Sequence, residues 1–315
     1  MKQFILNKND SGQRLDKFLS KSLKNIPLSL IYKSIRLKKI KVNGKKVALS
    51  YMLKEDDVIT LYINDEFFEK DKNEFIFTKI KPSLNIIYED QNIILVDKKQ
   101  GVLVHSDKNE DINTLINHIK AYLYSKKEYN PNIEHSFSPA LCNRIDRNTG
   151  GIVIAAKNAM TLRIINEKIK NKEIRKFYLL LVFGIIKNKS GKLINLLEKT
   201  DNQNKVFVVK NKTQNSKTAE TLYKVLKEKG NISLIEAELL TGRTHQIRAQ
   251  FADIGHPLVG DTKYATNDKN ISIKRKYQAL YSYKIIFDFI CNAEHLEYLK
   301  GKCFEINNVD FVENF

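Results

Sequence analysis

The sequence predicts an α+β protein in which a small α/β unit precedes a main domain with a mixed, mainly antiparallel sheet. Short runs of branched and aromatic residues outnumber segments with helical spacing, and strands and helices lack the regular alternation typical of parallel sheets. A charged, poorly periodic stretch from Asn64 to Pro82 indicates a linker. We therefore expect domains at 1–65 and 83–315, joined by a linker at 66–82.

The composition points to a globular protein with a polyanionic partner. The chain has 315 residues, 42% of them hydrophobic, which is enough for a real core and excludes a disordered chain. Lys and Arg total 54 against 36 Asp and Glu, so the net charge is +18. Such an excess favours nucleic acid or an anionic membrane surface. A bias of the whole sequence toward Lys, Asn and Ile explains why the basic residues are mostly Lys. It does not explain why the basic residues outnumber the acidic ones.

Several features favour a cytoplasmic protein without a membrane segment, disulfide or metal site. Met1 to Gln13 is polar, and the apolar stretch Tyr178 to Ile186 is much shorter than the roughly 20 residues that span a bilayer. Cys291 and His295 have a loose metal-like spacing, but no second pair accompanies them. The cysteines are scattered and odd in number, as expected in a reducing compartment: Cys142, Cys291 and Cys303.

The small unit is predicted to contain two helices followed by strands. Arg14 to Leu23 has apolar residues at helical spacing, and Ser29 is the expected N-cap of a second helix through Leu37. Ile40 to Val47 is predicted to form a tight hairpin, because its Asn-Gly pair suits the positive φ angles of such turns. Val58 to Ile63 follows as a strand.

Basic residues crowd the second helix and the hairpin of this unit. A run of charges often marks only a solvated face, but the concentration on two adjoining elements favours contact with phosphates. The residues concerned are Lys33, Arg36, Lys38, Lys39, Lys41, Lys45 and Lys46.

The main domain is predicted to contain many strands and few helices. Asn113 and Asn158 are expected to cap two helices, Thr244 to Ile254 is expected to be a third that ends at Gly255, and Lys187 to Asn215 a projecting loop or hairpin. The predicted strands are Leu84 to Glu89, Asn92 to Val96, Gly151 to Ala156, Lys176 to Phe183, Glu220 to Leu226, Ile232 to Leu240 and Leu280 to Phe289.

Two short segments are dense in functional groups. In Asn143 to Gly151, an Asp lies between two Arg residues in a turn that leads into a buried strand. Asp is also a common turn former, so the residues alone leave Asp146 open between a structural and a catalytic role. In Leu240 to Arg248, a strand ends and a helix begins with Thr, His, Gln and Arg. Its free backbone amides suit an anion, although a capped surface helix has the same pattern.

Together these segments resemble the RluA-type pseudouridine synthases, in the subgroup that carries an extra N-terminal domain and acts on large-subunit ribosomal RNA. The family pattern His-Arg-Leu-Asp-x-x-Thr-Ser-Gly corresponds to Asn143 to Gly151, and Gly-Arg-Thr-His-Gln-Ile-Arg is unchanged at Gly242 to Arg248. Other matches are Gly255 to Asp261, Ile94 to Lys98 and Lys176 to Tyr178. The small unit is similar to the S-four RNA-binding domain. The departures are Asn143 for His, Lys99 for Pro and Gly150 for Ser.

The resemblance implies an isomerase that needs no cofactor. Asp146 is implied as the catalytic carboxylate, either as the nucleophile at ribose C1′ or as the base that removes a ribose proton; the sequence does not separate these routes. Arg248 is implied as its charged partner. Arg144 is implied to fill the space left by the flipped nucleotide. Tyr178 is implied to stack on the uracil, although its apolar strand alone favours a core aromatic.

The implied partner is structured RNA, most specifically large-subunit ribosomal RNA, bound by a monomer. Transfer RNA is the alternative substrate, and a non-catalytic ribosome-assembly factor is the alternative function. Beyond the basic unit, the residues expected to contact RNA are Arg144, Arg243, His245 and Gln246.

Overall fold

The computed structural model describes residues 1–23, 25–68, 72–108, 110–199, 205–266, 275–313 and 315. Its N-terminal unit packs two helices against a three-stranded antiparallel sheet of order β1-β3-β2. The helices bury Leu15, Phe18 and Ile31 against the sheet. The elements of this unit are β1 (Lys2–Ile5), α1 (Leu15–Ser22), α2 (Leu28–Arg36), β2 (Ile40–Val42) and β3 (Val58–Leu61).

This unit departs from the expectation at three places. The Asn43-Gly44 turn forms, with φ of 51° and 74°, but the chain after it does not return as a strand. Instead β2 pairs with β3, in register Ile40 to Leu61. Pro27, rather than Ser29, is the N-cap residue of α2. Strand β1, which precedes the first predicted helix, was not predicted.

The predicted linker contains 3-10 helices at Asp65–Phe68 and Lys72–Lys79. Phe67 and Phe68 pack on the core of the N-terminal unit. Phe77 is instead buried in the core of the main domain, with its ring centroid 5.7 Å from that of Tyr129. The aromatic residues of this segment therefore attach one end of it to the N-terminal unit and the other end to the main domain.

The main domain is built on an 11-stranded sheet, which confirms the predicted α+β class. Among the residues that the structure describes, its strand pairings are antiparallel except that of β7 with β13. Its central path has the order β10-β9-β11-β12-β8-β13-β7-β5-β4, with β14 on β13 and β6 on β7. The strands are β4 (Ile86–Glu89), β5 (Ile93–Lys98), β6 (Ala140–Leu141), β7 (Gly150–Ala156), β8 (Ile174–Phe183), β9 (Ser190–Lys199), β10 (Val206–Val209), β11 (Lys217–Lys229), β12 (Ile232–Leu239), β13 (Leu280–Phe287) and β14 (Cys303–Glu305).

In the described residues of this domain, four helices accompany the sheet: α3 (Leu115–Ser125), α4 (Ala159–Lys170), α5 (Gln246–Asp253) and α6 (Asp310–Glu313). The Asn158 side chain caps α4 as expected, but Thr114 rather than Asn113 caps α3. The segment expected to be a projecting loop or hairpin, 187–215, supplies β9 and β10, which pair antiparallel at one edge of the sheet. Residues 200–204 of this segment lie outside the described residues. Strands β6 and β14 and helix α6 were not predicted, because each is too short for a periodic signal.

Both faces of the sheet are covered. Every residue of β7 is buried, with Val153 in the cluster that contains α3 and α5, and Ile152 in the cluster that contains α4. Burying one such side chain contributes about 1.5–3 kcal/mol. Helix α5 packs through Ile247 and Phe251 in the same core as Leu180 of β8. In the described part of the chain, no helix is long and apolar enough to cross a membrane.

Candidate active site

Asp146 lies in a loop between β6 and β7 that is tied to the end of β5. The buried Lys98 ammonium group donates to the carbonyls of Lys99, Val102 and Arg147 at 3.0, 2.8 and 3.0 Å. These three acceptors match the three hydrogens of an ammonium group. Burial lowers the pKa of Lys98 to about 7, although the charges of Asp146 and Asp97 oppose this shift. One buried lysine side chain thus fixes the backbone beside Asp146.

The two glycines that follow this loop allow two strands to approach closely. Gly151 has a φ of +112°, and a Cβ there would lie 2.1 Å from the carbonyl oxygen of Ser282 on β13. A Cβ on Gly150 would lie 2.3 Å from the ring of Tyr281, whose hydroxyl donates to Asp97 at 2.6 Å. The glycine that replaces the family's serine is therefore matched here by a tyrosine that fills the space.

Asn143, which stands where the family pattern has His, bonds to the backbone of β7. Its side-chain oxygen accepts from the backbone N–H of Ile154 at 2.8 Å, and its amide donates to the Ile152 carbonyl at 3.4 Å. These bonds hold the start of the loop against β7. Both the oxygen and the nitrogen of the Asn143 amide are thus engaged by the backbone of β7.

Arg248 of α5 is held between two carboxylates. It donates from Nη1 to Asp146 at 2.9 Å, and from Nε and Nη2 to the two oxygens of Asp261 at 2.7 and 2.9 Å. Arg248 and Asp261 are buried, whereas the Asp146 side chain is 26% exposed. Burial alone would lower the pKa of Arg248, but its bonds and charge interactions with Asp261 and Asp146 raise it overall. The guanidinium is therefore a permanent cation that presents one N–H to Asp146.

His245 is the residue just before α5, and its backbone is left-handed with φ of 50°. Its Nε2 lies 3.8 Å from the Oδ2 atom of Asp146, and its Nδ1 lies 3.0 Å from the hydroxyl of Tyr264. Burial lowers the pKa of His245, and the nearby Arg248 lowers it further, although Asp146 opposes both. The ring is therefore neutral at pH 7 and lies against Asp146 rather than on the outer surface.

Tyr178 is a buried residue of β8 within electrostatic reach of Asp146. It is only 5% exposed and belongs to the same core as Ile145 and Ile247. Burial raises the pKa of Tyr178 to about 12, and the Asp146 charge raises it as well. The phenol is therefore neutral at pH 7. The structure brings together Asp146, Arg248, Tyr178 and His245, which are distant in the sequence.

The residues expected to contact RNA differ in exposure. Arg144 and Arg243 are exposed, and Arg243 donates from Nε to the Thr218 carbonyl at 3.0 Å. In the N-terminal unit, Lys41 is half-buried with its ammonium 5.5 Å from the Tyr62 ring centroid. The other basic residues of α2 and the following turn are exposed: Lys33, Arg36, Lys38, Lys39, Lys45 and Lys46.

Gln246 is not placed for RNA contact, which corrects the expectation from the sequence. Its side chain is 2% exposed. Its oxygen accepts from the Thr241 hydroxyl and the Arg243 N–H at 2.8 and 3.0 Å, and its amide donates to the Glu220 carbonyl and the Thr221 hydroxyl, both at 2.9 Å. The amide therefore shapes the turn that leads into α5, and a helical pattern cannot distinguish this role from an outward one.

Sequence reasoning missed three residues around the site: Lys98, Asp261 and Tyr264. Lys98 and Asp261 fall in segments that match the family pattern, but neither spacing nor periodicity indicates that their side chains point to the loop and to Arg248. Tyr264 carries no local signal, because its contacts are with His245 and with Val206, 58 residues away. Among the described residues, no group of three or more His, Cys, Asp and Glu residues could hold a metal ion.

Comparisons with known proteins point to one family. The family model for RNA pseudouridylate synthase matches residues 92–253, and that for the S4 domain matches residues 13–59. The chain is 34% identical to an uncharacterized RNA pseudouridine synthase of Mycoplasma capricolum, over 99% of both chains. It is 32% identical to ribosomal large subunit pseudouridine synthase C of Buchnera aphidicola (subsp. Schizaphis graminum), over 86% of this chain and 83% of that one.

Solved structures show the same fold at lower identity. Human RNA pseudouridylate synthase domain containing 4 has a TM-score of 0.55 at 18% identity, covering 72% of this chain and 89% of that chain. Human RNA pseudouridylate synthase domain containing 1 has a TM-score of 0.54 at 19% identity, covering 75% and 96%. The chain therefore belongs to the RNA pseudouridylate synthase family, and it is an RNA-modifying isomerase with an N-terminal S4 domain.

Proposed function

We propose that the protein converts specific uridines of large-subunit ribosomal RNA to pseudouridine, with Asp146 as the catalytic carboxylate. The observation that carries this proposal is the arrangement of that carboxylate. Arg248 donates to the Oδ2 atom of Asp146 at 2.9 Å, and no described residue makes a hydrogen bond to its Oδ1 atom. Asp146 is also the partly exposed member of an otherwise buried ion cluster. One carboxylate oxygen is thus fixed, and the other is open to a ribose.

The reaction requires a positioned anion and no external reactant. The N1–C1′ bond of uridine breaks, the base rotates, C5 bonds to C1′, C5 loses a proton and N1 gains one. Asp146 serves either as the nucleophile at C1′ or as the base that removes a ribose proton. In both routes Arg248 supplies a fixed countercharge on the side of the carboxylate away from the substrate, so the anion is oriented before RNA binds.

Two other residues act on the flipped nucleotide. Tyr178 is a buried, neutral phenol within electrostatic reach of Asp146. This supports a role in which Tyr178 contacts the uracil and helps to move the C5 proton. Arg144 is exposed two residues before Asp146, which suits a guanidinium that takes the place of the extruded nucleotide. Together the two side chains keep the flipped uracil out of the RNA helix while the new glycosidic bond forms.

The N-terminal unit, which we assign to residues 1–65, holds the RNA through its basic face, and residues 66–82 link it to the catalytic domain at 83–315. The net charge of +18 and the exposed cations on α2 support phosphate contact. The printed names of several relatives support large-subunit ribosomal RNA as the substrate. We infer that the enzyme acts in the cytoplasm as a monomer.

The substrate is tested by incubating the purified protein with unmodified transcripts of large-subunit ribosomal RNA and of the transfer RNAs, followed by pseudouridine mapping. We expect conversion at specific uridines of the ribosomal transcript only. Conversion confined to transfer RNA would establish the alternative substrate. Tight binding to either RNA without conversion, also after folding the RNA with magnesium, would contradict the enzymatic role and favour an assembly factor.

A further inference from the structure

We propose that Lys176 binds the phosphate group of the target nucleotide once that nucleotide is flipped into the site. This inference rests on the proposed function, because it concerns how the uridine is held while Asp146 acts on its ribose. Lys176 is the first residue of the matched segment that ends at Tyr178, and its ammonium group has no role in the reaction steps described above. With this contact, the site meets all three parts of a nucleotide: base, ribose and phosphate.

Lys176 shares a face of β8 with Tyr178. Successive side chains of a strand point to opposite sides of the sheet. Tyr178, Leu180 and Val182 lie in the core that also contains α3 and α5, whereas Phe177 lies in a core on the other side. Exposure rises along the first row, from 0% at Leu180 through 5% at Tyr178 to a partly exposed Lys176. This row therefore leads from the core toward solvent, and Lys176 is at its outer end.

Lys176 is a partly buried cation without an anionic partner among the residues that the structure describes. Burial lowers the pKa of its ammonium group, and no carboxylate of the described residues raises it. The preceding residue, Arg175, differs, because its guanidinium donates to both oxygens of Glu238 at 2.7 and 2.9 Å. Shielding a cation from water without a counter-charge is unfavourable. An anionic group of the substrate would supply the counter-charge that Lys176 lacks.

Two other cations beside Asp146 already have partners. The Arg248 guanidinium donates to Asp146 and Asp261, and the Lys98 ammonium group donates to three backbone carbonyls. Either would have to break a bond that shapes the site before it could bind a phosphate. Lys176 has no such bond to break, and an ammonium group binds phosphate as a compact point charge. The structure therefore favours Lys176 as the phosphate ligand.

The spacing of Lys176 and Tyr178 suits a single nucleotide. The proposed contacts place the uracil against Tyr178 and the ribose beside Asp146. The phosphate of a nucleotide is separated from its base by the ribose, a separation similar to the roughly 7 Å between Cα atoms two residues apart on a strand. A uracil carbonyl at Lys176 would leave the charge of the lysine uncompensated, because the carbonyl is neutral. The charge of Lys176 therefore favours the phosphate over the base.

Binding of RNA by Lys176→Met tests the contact, because Met retains an unbranched apolar side chain and removes the charge. Filter binding to the ribosomal transcript over a range of salt concentrations should show affinity lowered about tenfold, with the slope of log affinity against log salt reduced by about 1. Lys176→Arg should retain both values. Lys300→Met removes the same charge from an exposed site and should also change neither. Unchanged binding by Lys176→Met, or weaker binding with an unchanged slope, would overturn the phosphate assignment.

Thermal unfolding separates RNA binding from a structural role. Removing a shielded cation that has no partner relieves an unfavourable burial, so Lys176→Met should melt at the same temperature as the unaltered protein or higher. A lower melting temperature would show that Lys176 supports the fold, and it would contradict the proposal. Neither measurement requires conversion of uridine. A protein that binds the transcript without forming pseudouridine would therefore refute the proposed function, while the salt dependence would still report on Lys176.

Discussion

At the scale of single residues, the site depends on a buried cation shared by two anions. The sequence alone left Asp146 open between a turn residue and a catalytic one, and family resemblance pointed to Arg248 and Tyr178. The structure adds Asp261, which binds the far side of the Arg248 guanidinium. No local pattern could reveal this pair, because the contact depends on how α5 and the loop after it pack together.

Asp261→Asn is predicted to destabilise the protein and slow the reaction. The change leaves the buried Arg248 with only one anionic partner, and breaking such a buried pair costs about 3–5 kcal/mol. The free energy of unfolding in urea measures this loss, and pseudouridine formation measures the effect on Asp146. Asp253 is an exposed carboxylate on α5, the helix that carries Arg248, and Asp253→Asn should change stability by less than about 0.5 kcal/mol. Equal stability of Asp261→Asn and Asp253→Asn would contradict the shared-cation account.

At the scale of elements, strands with strong apolar runs were predicted well, and pairings were not. The apolar runs of β5, β7 and β8 appear in the structure close to their predicted bounds. The prediction of a return strand after the Asn43-Gly44 turn was wrong. The turn signal is local, whereas β2 pairs with β3, which lies further along the chain. The parallel pairing of β7 with β13 joins segments about 130 residues apart, and no periodicity in the sequence indicates such a distant partner.

Gly151→Ala is predicted to disrupt this parallel pairing. A Cβ there meets the Ser282 backbone within 2.7 Å, and the φ of +112° is strained for any other residue. We expect a loss of about 3 kcal/mol or more, or an insoluble protein. Gly242→Ala is the matched control, because its Cβ meets nothing within 4 Å, and its thermal unfolding should be nearly unchanged. If the two variants unfold at the same temperature, the close approach is not needed.

The junction of α4 and β8 predicts a defined pH dependence. Burial alone would raise the pKa of Glu173, but bonds from Lys168 and the Ile290 and Cys291 backbone lower it to about 2. Because this lies below the unfolded value near 4.5, Glu173 stabilises the fold above that pH, and the contribution is lost as the pH falls toward 2. The melting temperatures of the natural protein and Glu173→Gln should therefore converge in acid. A constant difference across this range would contradict the assignment.

At the scale of the whole molecule, polar contacts join the N-terminal unit to the catalytic domain. The buried carboxylate of Asp10 accepts from the Ser136 hydroxyl and N–H at 2.7 and 3.1 Å, and Asn9 donates to Glu134 at 2.8 Å. The sequence predicted both units but not this contact, because the polar residues that form it look like ordinary loop residues. The contact holds the basic unit in a defined position relative to the domain that contains Asp146.

The basic face predicts a specific salt dependence of RNA binding. Arg36→Gln and Lys38→Gln should each weaken binding and reduce the slope of log affinity against log salt by about 1, as expected for one lost phosphate contact. Filter binding to the ribosomal transcript over a range of salt concentrations measures this slope. Lys300→Gln, an exposed lysine of the catalytic domain, should leave it unchanged. Slopes equal to that of the unaltered protein for all three variants would show that neither the end of α2 nor Lys38 just after it contacts phosphates.

The most direct test of the central claim compares Asp146→Asn with the unaltered enzyme, using RNA binding and pseudouridine formation on the same transcript. The amide retains the size of the carboxylate and an acceptor for Arg248, but it is neither an anion nor a base. We predict unchanged affinity and no detectable pseudouridine, with Asp253→Asn fully active. Pseudouridine formation by Asp146→Asn at a rate near that of the unaltered enzyme would contradict the assignment of Asp146 as the catalytic carboxylate.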